Sequence, residues 1–436
     1  MNLDQLHNLI FRVRIRLMKV LTLPIRWIAI EISMQIARRR RFNPEIIRLF
    51  NLDLHPAVIS DIEMGLKKNS KRNIQLTRWS ISSLNHISRK FFYCPDPVAV
   101  VNLKTWRKLD QTVIRKFQKR YGKYLSTFDG FVVTHTPAFA ELFGDFGKPI
   151  LIVASTRYEA PYTNQPEQWA RLNKFLLRGI ESGQVTFWSN NVGDRDYFEY
   201  FTGFCSKVVP SFCDYTEVKW TPTYDSAVYF AKSDPITSQL SVHGKTTWKE
   251  ATKQLGRKYS YSKLAAVSAV FVLPYQISTM RLFELATMGV PVLVPSKSFM
   301  LALQKQDSMI LNEVSYFRVW GIDDGQIDEE NPNRSSDSNF AWWLERADFY
   351  NKDLMPNVIE IDSFHELENW KFSHDRQRWV SEIYNRNVRI NKCREVALSD
   401  FIESTVKGKS SELALHQLRK IYISEKLKKY AKVISD

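Results

Sequence analysis

Two hydroxyls, a guanidinium and a carboxylate stand close together within the stretch 266–303. They belong to Ser278, Thr279, Arg281 and Glu284, and the apolar residues around them recur at helical spacing. The N–H groups of a helix start bind anions, and an arginine in the first turn suits a diphosphate. Glu284, one turn further along, can accept hydrogen bonds from ribose hydroxyls. The spacing therefore predicts a site for a nucleotide that carries a diphosphate.

The same stretch predicts a strand–helix–strand unit that holds this site at the edge of a parallel sheet. Ala269–Leu273 is a short apolar run typical of a buried strand, Met280–Thr287 has helical spacing and is followed by Gly289, and Val290–Val294 is a second apolar run. Turns of such a unit lie at the carboxyl ends of parallel strands, where open α/β sheets bind ligands. The alternative is a purely structural unit of some other α/β protein.

Three earlier predicted strands also end in polar residues. His55 follows the predicted strand Pro44–Leu54, and His135 follows Asp129–Thr134. Arg157 and Glu159 come after the predicted strand Lys148–Ala154. Because the carboxyl ends of parallel strands meet at one edge of a sheet, these side chains are expected to face one crevice. His55, His135 and Glu159 are rival candidates for a general base, and Arg157 is a candidate clamp for a phosphate or carboxylate. A structural histidine in a turn is the alternative for His55.

A second group of elements follows residue 216. Ser226–Ala231 is predicted as a strand, and Lys232 after it is a candidate contact for a donor phosphate, with a solvated lysine as the alternative. Trp248–Leu255 is predicted as a helix.

The positive charge is concentrated at the start of the chain. The 436 residues carry a formal net charge of +16, and residues 1–41 contain nine Lys or Arg and two acidic residues, a local net charge of 9 − 2 = +7. Apolar residues in this segment recur at helical spacing, which predicts a basic amphipathic helix that binds an anionic membrane surface. The alternative is a helix that packs on the protein's own core with a solvated basic face. The basic run at 104–120 is a second candidate for such a contact.

Several classes of protein are disfavoured by composition. The four cysteines are too few and too scattered for a disulfide scaffold and form no CxxC pair. The sequence contains no run of 18 uncharged apolar residues, so no membrane-spanning helix is predicted. No signal peptide is apparent. No motif of a known RNA-binding module is present, so no nucleic-acid partner is expected. A cytoplasmic protein, peripheral on the inner face of a membrane, is the resulting expectation.

The motif LFELATMGVPVLVPS resembles the nucleotide-sugar site of GT-B-fold glycosyltransferases. The second domain of that group commonly carries a Glu, a small residue, and a Gly before a Pro-Val-Val-like strand. In much of the group another glutamate lies eight positions upstream, where this chain has Gln276. The resemblance implies transfer of a sugar from a nucleotide-sugar donor to a hydroxyl of a glycan or lipid-linked glycan. In inverting members the base often lies in the loop that corresponds to His55.

The resemblance also implies two Rossmann-like α/β domains that face each other across a cleft. The predicted division is a basic helical segment at 1–41, an acceptor-side domain at 42–215, a nucleotide-sugar-binding domain at 216–375 and a helical extension at 376–436. A late helix commonly crosses back to the first domain in this group, which assigns that role to Arg376–Asn391. No cofactor beyond the donor substrate and no metal ion is expected.

Two other functions fit parts of the pattern. A nucleotide-sugar epimerase of similar fold would share the donor site but use no external acceptor. A non-catalytic membrane-associated adaptor would explain the basic charge and leave the polar strand ends without a role.

Overall fold

The computed structural model describes most of the chain between residues 46 and 407. The described ranges are 46–69, 72–81, 99–162, 165–224, 226–231, 248–256, 259–306, 331–333, 337–373 and 375–407, together with residues 28, 31, 32 and 34–36. Lys232, most of the predicted segment 1–41 and the end of the predicted extension, 408–436, lie outside these ranges.

The first sheet has six parallel strands in the order β2-β1-β3-β4-β5-β6. The strands are β1 Ile46–Asp53, β2 Asn73–Ser80, β3 Gly130–Thr134, β4 Ile150–Ala154, β5 Val185–Ser189 and β6 Lys207–Val208. Helices cover both faces of a parallel sheet, so its central strands are apolar throughout, and every residue of β3 and β4 is buried. The strands predicted from apolar runs in this part of the sequence are confirmed.

Four helices connect the strands of the first sheet. They are α1 Pro56–Asn69, α2 Gln111–Leu125, α3 Pro166–Glu181 and α4 Val192–Thr202. Local capping fixes where two of them begin: the side chain of Asp110 accepts a hydrogen bond from Val113 N, and that of Asn191 accepts one from Asp194 N.

The second sheet has five parallel strands in the order β11-β10-β9-β7-β8. The strands are β7 Ala227–Phe230, β8 Trp248–Glu250, β9 Val270–Val272, β10 Val292–Pro295 and β11 Val358–Ile361. Its helices are α5 Ala251–Leu255, α6 Tyr261–Ala265, α7 Met280–Met288, α8 Lys297–Gln306, α9 Asp337–Glu345 and α10 Phe364–Asn369. The two sheets establish an α/β protein with two Rossmann-like parts, as predicted.

The predicted helix Trp248–Leu255 is wrong at its start. Residues 248–250 form the edge strand β8, in which Trp248 pairs with Ala227, and only Ala251–Leu255 is helical. The buried Trp248 indole donates to Leu367 O, so long-range packing outweighs the local helical pattern.

The long helix α11, Arg376–Lys407, connects the two parts of the molecule. Near its start, Trp379 Nε1 donates to Gly289 O in the second part. Further along, Arg394 forms an ion pair of 2.8 Å with Asp61 of α1 in the first part. The expected crossing helix is therefore present, and its ion pair with the first part lies beyond the predicted range Arg376–Asn391. All strands fall within the predicted domains 42–215 and 216–375, whose boundary stays a prediction.

The described residues of the N-terminal segment are helical and pack on the first part. Met34 is buried in the main hydrophobic core, and Glu31 lies 3.5 Å from Arg120 of α2. Ile28, Ile32 and Ile36, one helical turn apart, are each more than half exposed. Within the described ranges, no helix combines the length and the apolar character needed to cross a membrane.

Candidate active site

A cleft of about 490 Å³ opens between the carboxyl ends of the two sheets. Residues from both parts of the molecule line it, and six of the nine predicted site residues are among them: His55, His135, Ser278, Thr279, Arg281 and Glu284. The structure therefore brings the predicted donor helix and two of the candidate bases to one cavity, as expected for side chains that follow parallel strands.

His55 and His135 face the cleft side by side. They follow β1 and β3, which are neighbours in the first sheet, and their imidazole rings lie 5.5 Å apart between centroids with an interplanar angle of 13°. His135 adopts a left-handed backbone conformation with φ of 63°, and its Nδ1 lies 3.0 Å from Thr136 Oγ1. His55 is exposed to the cleft, whereas His135 is half-buried.

Both imidazoles are held neutral. Burial lowers the pKa of His135 to about 3, and the neighbouring His55 adds to this effect. The surrounding walls of the cleft remove part of the bulk water around His55 and so lower its pKa, and the negative charge of Glu284 opposes that change in part. A neutral imidazole can accept a proton, so both rings have the protonation state of a general base at neutral pH. The exposed ring of His55 is the more accessible of the two.

Asp53 lies beneath the histidines and was missed by the sequence analysis. Its Oδ1 accepts a hydrogen bond of 2.5 Å from His55 N, and its Oδ2 accepts one from the Thr134 hydroxyl. Burial raises the pKa of Asp53 to about 7. The carboxyl group thus ties the end of β1 to the end of β3, where the two histidines begin. A carboxylate at the end of a strand rich in apolar residues was the sequence signal for it.

The helix α7 presents its N-terminus to the cleft. Thr279 occupies the N-cap position in an extended conformation, without a capping hydrogen bond from its side chain, and Gly289 ends the helix in a left-handed conformation. The N–H groups of a first helical turn have no partner within the helix, so they are available to an anion. Ser278 and Thr279 line the cleft beside them, which is the arrangement predicted for a diphosphate site.

Arg281 and Glu284 are fixed by aromatic residues and by each other. Arg281 Nη1 lies 3.2 Å from Glu284 Oε2, and its guanidinium lies over the rings of Phe230 and Tyr259, at 5.3 and 5.6 Å from their centroids. Glu284 is 2% exposed.

Two tyrosine hydroxyls complete the surroundings of Glu284. Tyr215 and Tyr261 donate to Glu284 Oε1 at 2.7 and 2.9 Å. They lie 69 and 23 residues from it in sequence, so no spacing rule indicates these two contacts.

Arg157 and Glu159 do not line the cleft. Arg157 is 1% exposed and forms an ion pair of 2.7 Å with Asp194, with its guanidinium 4.5 Å from the centre of the Trp343 ring. Glu159 is fully buried and accepts a hydrogen bond of 2.8 Å from the Tyr197 hydroxyl. The structure does not bring them together with the histidines, so a role as phosphate clamp or base requires this buried network to open.

The remaining predictions on the site concern a lysine and a metal ion. Lys232 lies outside the described residues. Among the described residues, no three His, Cys, Asp or Glu side chains are grouped as a metal site requires. Metal independence stays a prediction.

The comparisons with known proteins give distant structural similarities. No family model and no curated protein matches the chain. Among solved structures, the chain is similar to the glycotransferase of kitacinnamycin, with 10% identity and a TM-score of 0.40 over 84% of this chain and 100% of that one. It is also similar to CalG4, the calicheamicin glycosyltransferase, with 10% identity and a TM-score of 0.35 over 84% of this chain and 99% of that one. Similarities at this level carry no argument about activity, which therefore depends on the site.

Proposed function

We propose that this protein is a glycosyltransferase that moves a sugar from a nucleotide-sugar donor to a hydroxyl acceptor. The observation that carries the proposal is the pairing of two groups in one cleft. Neutral histidines line it from the first part, and a helix start with Arg281 and Glu284 lines it from the second. Glycosyl transfer requires a base for the acceptor hydroxyl and a binding site for the leaving diphosphate.

The donor is held by α7. The N–H groups of its first turn, the hydroxyls of Ser278 and Thr279 and the guanidinium of Arg281 bind the diphosphate, and Glu284 accepts a hydrogen bond from the ribose. As the bond between the sugar anomeric carbon and the diphosphate oxygen breaks, negative charge grows on that oxygen. The cation and the helix start stabilise this charge without a metal ion.

The acceptor attacks from the side of the first sheet. Its hydroxyl oxygen forms the new bond to the anomeric carbon, and His55 Nε2 or Nδ1 takes the hydroxyl proton. The nucleoside diphosphate leaves with the bonding electron pair. His135 packs beside His55 and limits the orientations of its ring, since the two rings stack.

The acceptor is a glycan or a lipid-linked glycan at a cytoplasmic membrane face. Support comes from the exposed isoleucine stripe, Ile28, Ile32 and Ile36, on a helical segment that contacts the basic helix α2 through the pair of Glu31 and Arg120. An apolar stripe beside basic side chains favours binding to anionic lipid headgroups.

A thermal-shift comparison of UDP, GDP, CMP and dTDP tests the proposal. A ligand that binds only the native state raises its melting temperature, and at 100 times its Kd adds about 2.7 kcal/mol to stability. We expect one of these nucleotides to raise the melting temperature of the wild type and to have a smaller effect on the melting temperature of Glu284→Gln. The control is Glu345→Gln, which changes an exposed carboxylate away from the cleft. No shift with any nucleotide contradicts the proposal, and release of nucleotide without a glycosylated product favours the epimerase.

A further inference from the structure

The hydrogen-bonding capacity of Glu284 is nearly used up before any ligand binds. Each carboxylate oxygen has two acceptor positions. Both positions on Oε1 are taken, by the hydroxyls of Tyr215 at 2.7 Å and Tyr261 at 2.9 Å. Among the residues that the structure describes, Oε2 has one contact, with Arg281 Nη1 at 3.2 Å. One acceptor position, on Oε2, therefore remains for a hydroxyl group in the cleft.

The two tyrosines approach Glu284 from different parts of the molecule. Tyr261 begins α6 and belongs to the second part. Tyr215 lies in the segment 209–226 that joins the two sheets, and the residues just before it are attached to α1 of the first part. Cys213 N donates to Asp61 Oδ1 at 2.7 Å, and Lys68 donates to Asp214 Oδ2 at 2.8 Å. The orientation of the Glu284 carboxylate is therefore set from both sides of the cleft.

We infer that Tyr215 and Tyr261 are positioning residues that hold Glu284 so that its single open acceptor position binds one ribose hydroxyl of the donor nucleotide. This inference rests on the proposed function. A carboxylate with both oxygens free can rotate about its terminal bonds, and fixing it in advance removes that entropy loss from the binding step. The tyrosines act through Glu284 and do not themselves contact the donor.

Ligand-free protein tests the contacts themselves. Glu284→Met removes the acceptor, and Tyr215→Phe and Tyr261→Phe each remove one donor with little change in volume. We expect the double variant Tyr215→Phe with Glu284→Met to lose less in melting temperature than the sum of the losses in the two single variants. The double variant Tyr261→Phe with Glu284→Met should behave in the same way. The matched control is Tyr350→Phe, which removes a hydroxyl that donates to Pro295 O at 2.7 Å and does not line the cleft, and whose effect should add to that of Glu284→Met. Additive losses for all three tyrosines overturn the inference.

Nucleotide binding tests the positioning. Dissociation constants of UDP, GDP, CMP and dTDP, and of their forms without sugar hydroxyls, are measured by calorimetry for the wild type and the three Tyr→Phe variants. For the nucleotide that binds, we expect the wild type to prefer the ribose form by about tenfold, which corresponds to one hydrogen bond to a charged group. Tyr215→Phe and Tyr261→Phe should weaken binding of the ribose form by about fivefold and leave binding of the form without sugar hydroxyls unchanged, because only the ribose form uses Glu284.

The outcomes separate this inference from the proposed function. Equal weakening of both nucleotide forms shows a general structural role for the tyrosines and overturns the inference while the donor site stands. Wild-type protein that binds none of UDP, GDP, CMP and dTDP contradicts the donor site itself, and with it any positioning role, even where the ligand-free measurement shows the tyrosine contacts. Unchanged binding in Tyr350→Phe shows that loss of a tyrosine hydroxyl elsewhere in the second part does not weaken the donor site.

Discussion

The imidazole rings of His55 and His135 stack 5.5 Å apart and within 13° of parallel at the ends of two neighbouring strands. Two protonated rings at this separation would repel each other, so the pair holds at most one proton over the physiological range. Because His135 has a pKa of about 3, the ring that takes a proton during a reaction is His55.

Replacement of the two histidines should distinguish their roles. His55→Ala is expected to lower kcat/KM by about 100-fold or more, as for loss of a general base, and His135→Ala by much less. The measurement is sugar transfer at saturating donor, and His365→Ala on α10, away from the cleft, is the control. Near-normal activity in His55→Ala, His135→Ala and Glu159→Ala would remove all three candidate bases.

The acid limb of the pH profile should lie below the ordinary pKa of histidine. His55 must be neutral to accept a proton, and the partial loss of bulk water around it lowers its pKa from 6.5, so activity should fall only at more acidic pH. Glu284 raises the pKa of His55, so Glu284→Gln should move the limb of kcat/KM to still lower pH. A limb that moves to higher pH in this variant would show that another group is titrating.

The buried Glu159 should make stability depend on pH. Burial raises its folded-state pKa to about 7 from an ordinary value of 4.5, so the folded state binds a proton that the unfolded state releases between these values. Stability from this group is fully present below pH 4.5 and is lost as pH rises to about 7, with a cost on the order of 3 kcal/mol. Glu159→Gln should therefore raise the melting temperature at pH 8 and have a smaller effect at pH 5. Glu345→Gln, at the surface, should change neither value.

The ion pair between α11 and α1 should contribute strongly to stability. Arg394 and Asp61 are 1% and 2% exposed, and Asp61 also accepts from Cys213 N. Arg394→Met leaves this carboxylate buried without its cation, which should destabilise the protein by about 3 kcal/mol in thermal or urea unfolding. Arg378→Met, which removes an ion pair at an 81% exposed side chain, should cost less than about 0.5 kcal/mol. Equal effects would mean that the buried pair is not formed.

The isoleucine stripe is the expected membrane contact. Replacing Ile28, Ile32 and Ile36 by Ser together should lower binding to anionic vesicles by at least about tenfold, because each buried apolar side chain contributes roughly 1–3 kcal/mol. Nucleotide binding in the cleft should be unchanged. Val380→Ser with Val396→Ser removes exposed apolar groups from α11 and serves as the control. Unchanged vesicle binding in the triple variant would favour the second candidate contact, the basic run at 104–120.

The sequence analysis anticipated most of the sheets because their signal is local. Runs rich in apolar residues place β1, β3, β4, β9 and β10, and residues that follow β1, β3 and β9 reach the cleft as expected for parallel strands. The exceptions depend on contacts between distant residues. Trp248 joins an edge strand because a partner strand is present, and Arg157 turns inward because Asp194, 37 residues away, pairs with it.

The site was anticipated in part for the same reason. The spacing of Ser278, Thr279, Arg281 and Glu284 places them together whatever the rest of the chain does. Tyr215 and Tyr261 reach Glu284 only after the second sheet and the connecting segment have formed. The pattern of residues in one segment predicts the local structure of that segment and does not indicate which distant side chains will contact it.

The crossing helix has a consequence for the order in which the protein matures during synthesis. Asp61 leaves the ribosome 333 residues before Arg394, the cation that pairs with it. Ala397, Leu398 and Phe401, which pack against Val58, Ile59 and Ile62 on α1, follow Arg394. The nascent first part therefore keeps an apolar helix face and a carboxylate uncovered until α11 has been synthesised, and this face is the surface that a ribosome-associated chaperone would have to protect.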